Sequence, residues 1–203
     1  TITSAAGRWA VLDAASLSIH FDGRSVELAE FIGAGGSPVI AWPSVSTDRV
    51  LVAYGGGLVG VPLNGSAPVS LVSGQSGAAA RPLALDGCEF AAWTSGDSWR
   101  QCASDGGTPT TDVLETMAPG ARLSFHANGK RAVLNDVRSG ETWAVQRDGE
   151  LINNWNDLIV ADDESPEEQQ NEEDIPPQVE TVQQPPIAID DAFGARPGRA
   201  TVL

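Results

Sequence analysis

The amino-acid sequence predicts an all-β chain built from four copies of one four-stranded unit, and three observations predict it. A hairpin pattern recurs at residues 8–23, 50–65, 89–106 and 131–149, each copy an alternating apolar run, a small-residue turn, a second alternating run and a closing Asp-Gly or Asn-Gly. The closing glycines Gly23, Gly65, Gly106 and Gly149 lie 42, 41 and 43 residues apart, within the spacing of about 40–45 that marks propeller blades. The 203 residues also include 22 glycines and 13 prolines, many of them between short apolar runs, as expected of turn-rich β structure.

Each hairpin supplies two strands, and the flanking sequence supplies the rest of the unit. A further β-rich run follows each closing glycine, at residues 25–31 (SVELAEF), 67–72 (APVSLV), 108–115 (TPTTDVLE) and 150–155 (ELINNW). Another run precedes the second, third and fourth hairpins, at residues 37–45 (SPVIAWPSV), 80–85 (ARPLAL) and 121–127 (ARLSFHA). Four short antiparallel strands per repeat make a propeller blade. Only seven residues precede Arg8, so the first blade is expected to lack its innermost strand. Residues 156–160 (NDLIV) are one source for it and blades upstream of Thr1 another, and the reading adopted is upstream blades. The absence of an initiator Met likewise suggests a piece of a longer polypeptide.

After Trp155 the character of the chain changes. Residues 161–184 hold many acids and few apolar residues, too few to offset the entropy of ordering, so an extended linker is expected. Residues 185–203 resume β character and end at Leu203. The predicted organisation is therefore a propeller segment over residues 1–160, an acidic Pro-containing linker over 161–184, and the truncated start of an Ig-like domain over 185–203.

Composition narrows the functional classes. Net charge is −15, from 27 acidic and 12 basic residues. Residues 161–203 carry 11 of those acids and, as bases, only Arg196 and Arg199. A chain without a basic patch is not built for nucleic acid or for an anionic membrane surface. No stretch reaches the roughly 18 apolar residues of a membrane helix, and no signal peptide is recognisable.

Cys88 and Cys102 flank the third hairpin. A turn centred near Ser95 and Gly96 would set them opposite each other on paired strands, where the separation of about 5.5 Å suits a disulfide. The alternatives are two buried thiols or a metal site, the latter without a Cys-x-x-Cys or a nearby His. A disulfide would imply an oxidising compartment outside the cytoplasm.

Two stretches resemble a known family. Residues 121–157, with Leu134, Asn135, Asp136, Ser139, Gly140, Trp143 and the run Asn154-Trp155-Asn156-Asp157, resemble the end of a propeller-like region in very large actinobacterial surface proteins. Residues 185–203, with Pro185-Pro186, Asp190-Asp191 and Arg196-Pro197-Gly198, resemble the first strand of the tandem Ig-like, cadherin-like domains that follow it there, with fibronectin type III repeats beyond. The resemblance implies an exported, modular, cell-surface setting concerned with the envelope or adhesion. It implies no catalytic residue.

The supply of catalytic groups is thin. His20 and His126 are single residues in β patterns, expected to be structural, and no Gly-x-Ser-x-Gly elbow supports a hydrolase triad. Asp22, Asp105 and Asp148 precede glycines and read as turn residues. Residues 139–143 (SGETW) resemble half of the Asp-box turn of sialidase-like propellers, with Arg138 where the Asp belongs. The glycines at 33–36 and 55–57 have no helix after them and so do not form phosphate loops. Asp190 and Asp191 are candidate first ligands of a calcium site at the Ig-like junction, with other ligands beyond Leu203. No other cofactor is expected.

Six tryptophans remain. Trp9, Trp93 and Trp143 occupy related hairpin positions, and most of the six are expected to fill the wedge between blades. Trp42, Trp99 and Trp155 are the candidate binding aromatics. The expected function is a non-enzymatic, extracytoplasmic interaction module that binds a protein or polysaccharide at the cell envelope. Another chain or upstream blades would complete its ring. A glycan hydrolase or lyase and a purely structural spacer are the alternatives.

Overall fold

The computed structural model of the chain describes residues 1–33 and 36–152. The predicted linker and Ig-like start, together with Trp155, Asp190 and Asp191, lie outside the described residues. Within them are four antiparallel sheets of four strands each, every strand pairing with its sequence neighbours. The first sheet contains β1 (Ile2–Ala5), β2 (Arg8–Asp13), β3 (Ser18–Phe21) and β4 (Arg24–Glu27), and a one-turn helix, α1 (Ala29–Ile32), follows. The second contains β5 (Val39–Ile40), β6 (Arg49–Tyr54), β7 (Gly57–Pro62) and β8 (Val69–Ser73). The third contains β9 (Leu83–Leu85), β10 (Cys88–Ala92), β11 (Asp97–Cys102) and β12 (Pro109–Val113). The fourth contains β13 (Leu123–Asn128), β14 (Arg131–Asp136), β15 (Thr142–Ala144) and β16 (Glu150–Leu151). The architecture is a propeller-like segment of four blades, as the repeat predicts.

Two local expectations are corrected. The first blade does not lack its innermost strand, because Ile2–Ala5 pairs with Arg8–Val11 through an Ala6-Gly7 turn in which both residues have positive φ, the backbone that suits a tight hairpin. The run at residues 25–31 is only partly a strand. Leu28 turns inward, its amide donating to Leu17 O, and residues 29–32 close a helical turn that buries Ile32 with the first blade's core.

The core lies between blades. One face of the first blade, with Ala10, Leu12, Ile19 and Phe21, packs on Ile40, Val50, Val52, Val59 and Val61 of the second. The other face of the second blade, with Leu51, Ala53 and Leu58, packs on Ala91, Trp93 and Trp99 of the third. Phe90 and Ala92, on the far side of the third, meet Phe125, Ala132, Leu134 and Trp143 of the fourth. Period-two alternation thus serves two neighbours at once in the middle blades, which is why β6, β7 and β10 are buried nearly throughout. Each fully buried Leu, Ile or Phe contributes ~1.5–3 kcal/mol. Of the three indoles that fill the wedges, Trp93, Trp99 and Trp143, two are also tied down, Trp93 Nε1 donating to Tyr54 O at 2.8 Å and Trp143 Nε1 to Glu115 O at 3.1 Å.

Backbone contacts join the innermost strands. Ser44, just after β5, donates to Ser4 O at 2.9 Å and accepts from the Ala6 amide at 3.2 Å, and Trp42 donates to Pro82 O at 2.8 Å. Cys88 and Cys102 stand directly opposite each other on β10 and β11 and are disulfide-bonded, so the thiol and metal alternatives fall away.

Candidate binding site at the loop end of the blades

The turns entering each second strand and the loops leaving each third strand come to the same end of a blade. At that end the Ala6-Gly7 turn, the β5–β6 loop, Gly87 and residues 103–107 surround an open cleft of about 570 Å³. It spans the first three blades and is lined by Ala6, Val45, Thr47, Arg49, Glu89 and Gln101, among others.

The floor of the cleft is a closed polar network. Arg49, the first residue of β6, reaches across the blade boundary and grips the Glu89 carboxylate with Nε, 2.9 Å from Oε2, and with a second guanidinium nitrogen. Its Nη2 also donates to Gln101 Oε1 at 2.7 Å, and the Thr47 hydroxyl donates to Glu89 Oε1 at 2.7 Å. The two charged side chains are largely buried, a placement tolerable only because each charge is paired and hydrogen-bonded. Every strong acceptor of Glu89 is thereby engaged. Above this floor Val45 is 88% exposed on the loop crest.

No family model, curated protein or solved structure matches this chain.

The predicted aromatics fare differently. Trp42 is 40% exposed and lies near the inner strands, with the Arg81 guanidinium 4.1 Å from its ring centroid, in cation–π contact. The same guanidinium donates to Ile40 O at 2.9 Å, Ala41 O at 3.2 Å and Ile2 O at 3.3 Å, so the Trp42–Arg81 pair pins three blades together. Trp99 is a correction. It is buried in the core between the second and third blades, because its strand position faces the neighbouring sheet, and it offers no surface for a ligand. The aromatic that sequence reasoning missed is Trp9, 66% exposed on the outer face of β2.

Neither histidine lines the cleft. His20 lies exposed on β3, its Nε2 3.0 Å from the Ser18 hydroxyl, and His126 lies exposed on β13. Among the described residues no group of three or more His, Cys, Asp or Glu is placed to hold a metal ion. None of the helices described is long and apolar enough to cross a membrane. The glycines at 55–57 form the β6–β7 turn, and α1 precedes the 33–36 cluster rather than following it.

The half Asp-box has its own solution. Asp136, four residues before Gly140, takes the part that Arg138 cannot. Its Oδ1 accepts from the Arg122 and Arg138 amides at 2.8 and 3.0 Å, and its Oδ2 from the Ser139 hydroxyl at 2.8 Å. Burial by itself would raise this carboxyl, but these hydrogen bonds outweigh it and hold it below the usual aspartate value.

Proposed function

We propose that this chain is a non-enzymatic interaction module that works outside the cytoplasm, binding a protein or polysaccharide at the cell envelope through the loop end of its blades. The observation that supports the reading is the cleft. It is broad, open and bounded by loops of three blades, and loops on a rigid scaffold are where binding surfaces are built. Its one buried carboxylate, Glu89, is neutralised by Arg49 and already accepts from Thr47. Glycoside hydrolysis needs two carboxyls flanking a bond, one of them free to give or take a proton. The disulfide fits an oxidising compartment, and the resemblance to modular actinobacterial surface proteins supplies the envelope setting.

The test is a glycan array, and a panel of immobilised envelope polysaccharides and proteins, probed with the labelled chain and with Val45→Asp. Val45 is an exposed rim residue, so its replacement leaves the fold intact. Saturable binding that Val45→Asp weakens ~10-fold or more, with no turnover of glycan, is the expected result. Turnover of a glycan that Glu89→Gln abolishes would replace this reading with an enzymatic one.

A further inference from the structure

We propose that two copies of this chain join head to tail, the outer face of the first blade of each seating the outer face of the fourth blade of the other, so that eight blades share one ring. This concerns a different surface from the loop-end cleft.

The second strands of the blades begin at Arg8, Arg49, Cys88 and Arg131, and aligning them sets equivalent residues in rows. In one row stand Trp9, Val50, Glu89 and Ala132; in the next but one, Val11, Val52, Ala91 and Leu134. In the second, third and fourth blades these six residues are buried, because the preceding blade packs on them. In the first blade Trp9 is 66% and Val11 42% exposed, and Ile2, opposite Val11, is 55% exposed. The first blade thus carries the surface that every other blade buries against a neighbour. A contiguous apolar patch of this kind marks an interface.

The opposite face carries a repeated arginine. Arg8 donates from the first blade to Leu63 O of the second at 2.7 Å. Arg49 reaches from the second to Glu89 of the third, and Arg100 from the third to Gln146 O of the fourth. Arg131 occupies the same row as Arg8 and Arg49 on the fourth blade. It is exposed, and among the described residues it has no hydrogen-bond or ion-pair partner across a blade boundary. The Arg49–Glu89 pair shows what that row meets on the next blade, namely the position that Trp9 fills in the first. A guanidinium against an exposed indole is a cation–π pair, of the kind Arg81 and Trp42 already make within the chain.

By strand alternation the first blade's free face bears Asp13, His20 and Glu27, and the fourth blade's bears Arg131, His126 and Glu150, so the pairing rests on the match of Arg131 to Trp9 rather than on net charge. The two faces are different surfaces, so the contact is heterologous, and such contacts are finite only if they close. Two copies of this 203-residue span bring together eight of the blades described, inside the range of four to eight that propellers use. Ser124, His126 and Asn135, beside Val133, make the fourth blade's free face more polar than the faces buried inside the chain, so the association is reversible.

Multi-angle light scattering across a wide concentration range reads the outcome. The expected result is a mass rising from 21.1 kDa to twice that value and no further. Trp9→Glu and Arg131→Glu, each at an exposed position and each with an unchanged circular dichroism melt, should weaken association by ~30-fold or more. An equimolar mixture of the two variants retains one intact junction per pair and should recover part of the dimer. A monomer at every concentration overturns the proposal. So does a dimer sensitive to Trp9→Glu and indifferent to Arg131→Glu, which would be two first blades face to face. Growth beyond two copies overturns the closed ring.

Discussion

Asp136 carries more of the fourth blade than its half Asp-box suggests. It is 1% exposed, and besides its three side-chain contacts its backbone closes the same turn, the Gly140 amide donating to its carbonyl at 2.8 Å. Asp136→Ala removes the acceptor of the Arg122 and Arg138 amides and of the Ser139 hydroxyl and is expected to cost ~1–2 kcal/mol in urea unfolding. The sign of the pH effect follows from the lowered carboxyl. The folded state holds this proton more weakly than the unfolded chain, so the contribution is complete above the unfolded value of ~3.9 and is lost as pH falls through the folded one. Urea midpoints of the protein and of Asp136→Asn should therefore converge below about pH 4. A gap that persisted there would mean that the carboxylate's charge does not matter. Glu89→Ala is expected to cost ~2–4 kcal/mol because it leaves Arg49 inward with no counter-charge. The Arg49→Ala/Glu89→Ala double variant should be less destabilised than the sum of the two single changes.

At the level of strands and hairpins, the disulfide gives the clearest expectation. It joins residues 14 apart on directly paired strands, and in the chain-entropy model a closed loop of that size adds about 3 kcal/mol. Reduction, or Cys88→Ala with Cys102→Ala, should lower the melting temperature by ~6–12 °C for a folded unit of this size. An unchanged melt would mean that the unfolded hairpin is already confined. These elements also show how far the sequence could be read. The hairpins, the blade spacing and the Cys88–Cys102 pairing follow from alternation and turn glycines, which are local. The strand Ile2–Ala5 was missed because its sequence, ITSA, has no apolar alternation, and only the positive-φ Ala6-Gly7 turn commits it. The rows of equivalent residues begin one position earlier in the second and third repeats than their apolar runs suggest, at Arg49 and Cys88. A one-residue shift exchanges the two faces of a strand, so the cross-blade role of Arg49 was hidden. The exposure of Trp9 and the burial of Trp99 were hidden for a different reason. Alternation says which residues share a face, but a neighbouring blade decides whether that face is covered.

For the four blades together, the separation of the core into three interfaces predicts how damage combines. Leu51 lies between the second and third blades and Leu134 between the third and fourth. Leu51→Ala and Leu134→Ala should each cost ~2–5 kcal/mol. Because they share no packing partners, their effects in a double variant should add to within ~0.5 kcal/mol, measured by denaturant unfolding. A marked excess over the sum would show that the interfaces cooperate through the third blade. The strand pairing bears on how the chain acquires its structure at all. Every hydrogen-bonded strand pair within a sheet joins sequence neighbours, with no crossover, so each sheet needs only loop closures of a few residues, the least costly kind. During synthesis a blade can therefore form as soon as its forty-odd residues have emerged. It then offers the next blade a finished surface to condense on, and the long-lived unpaired edges that make β proteins prone to misassembly are kept brief.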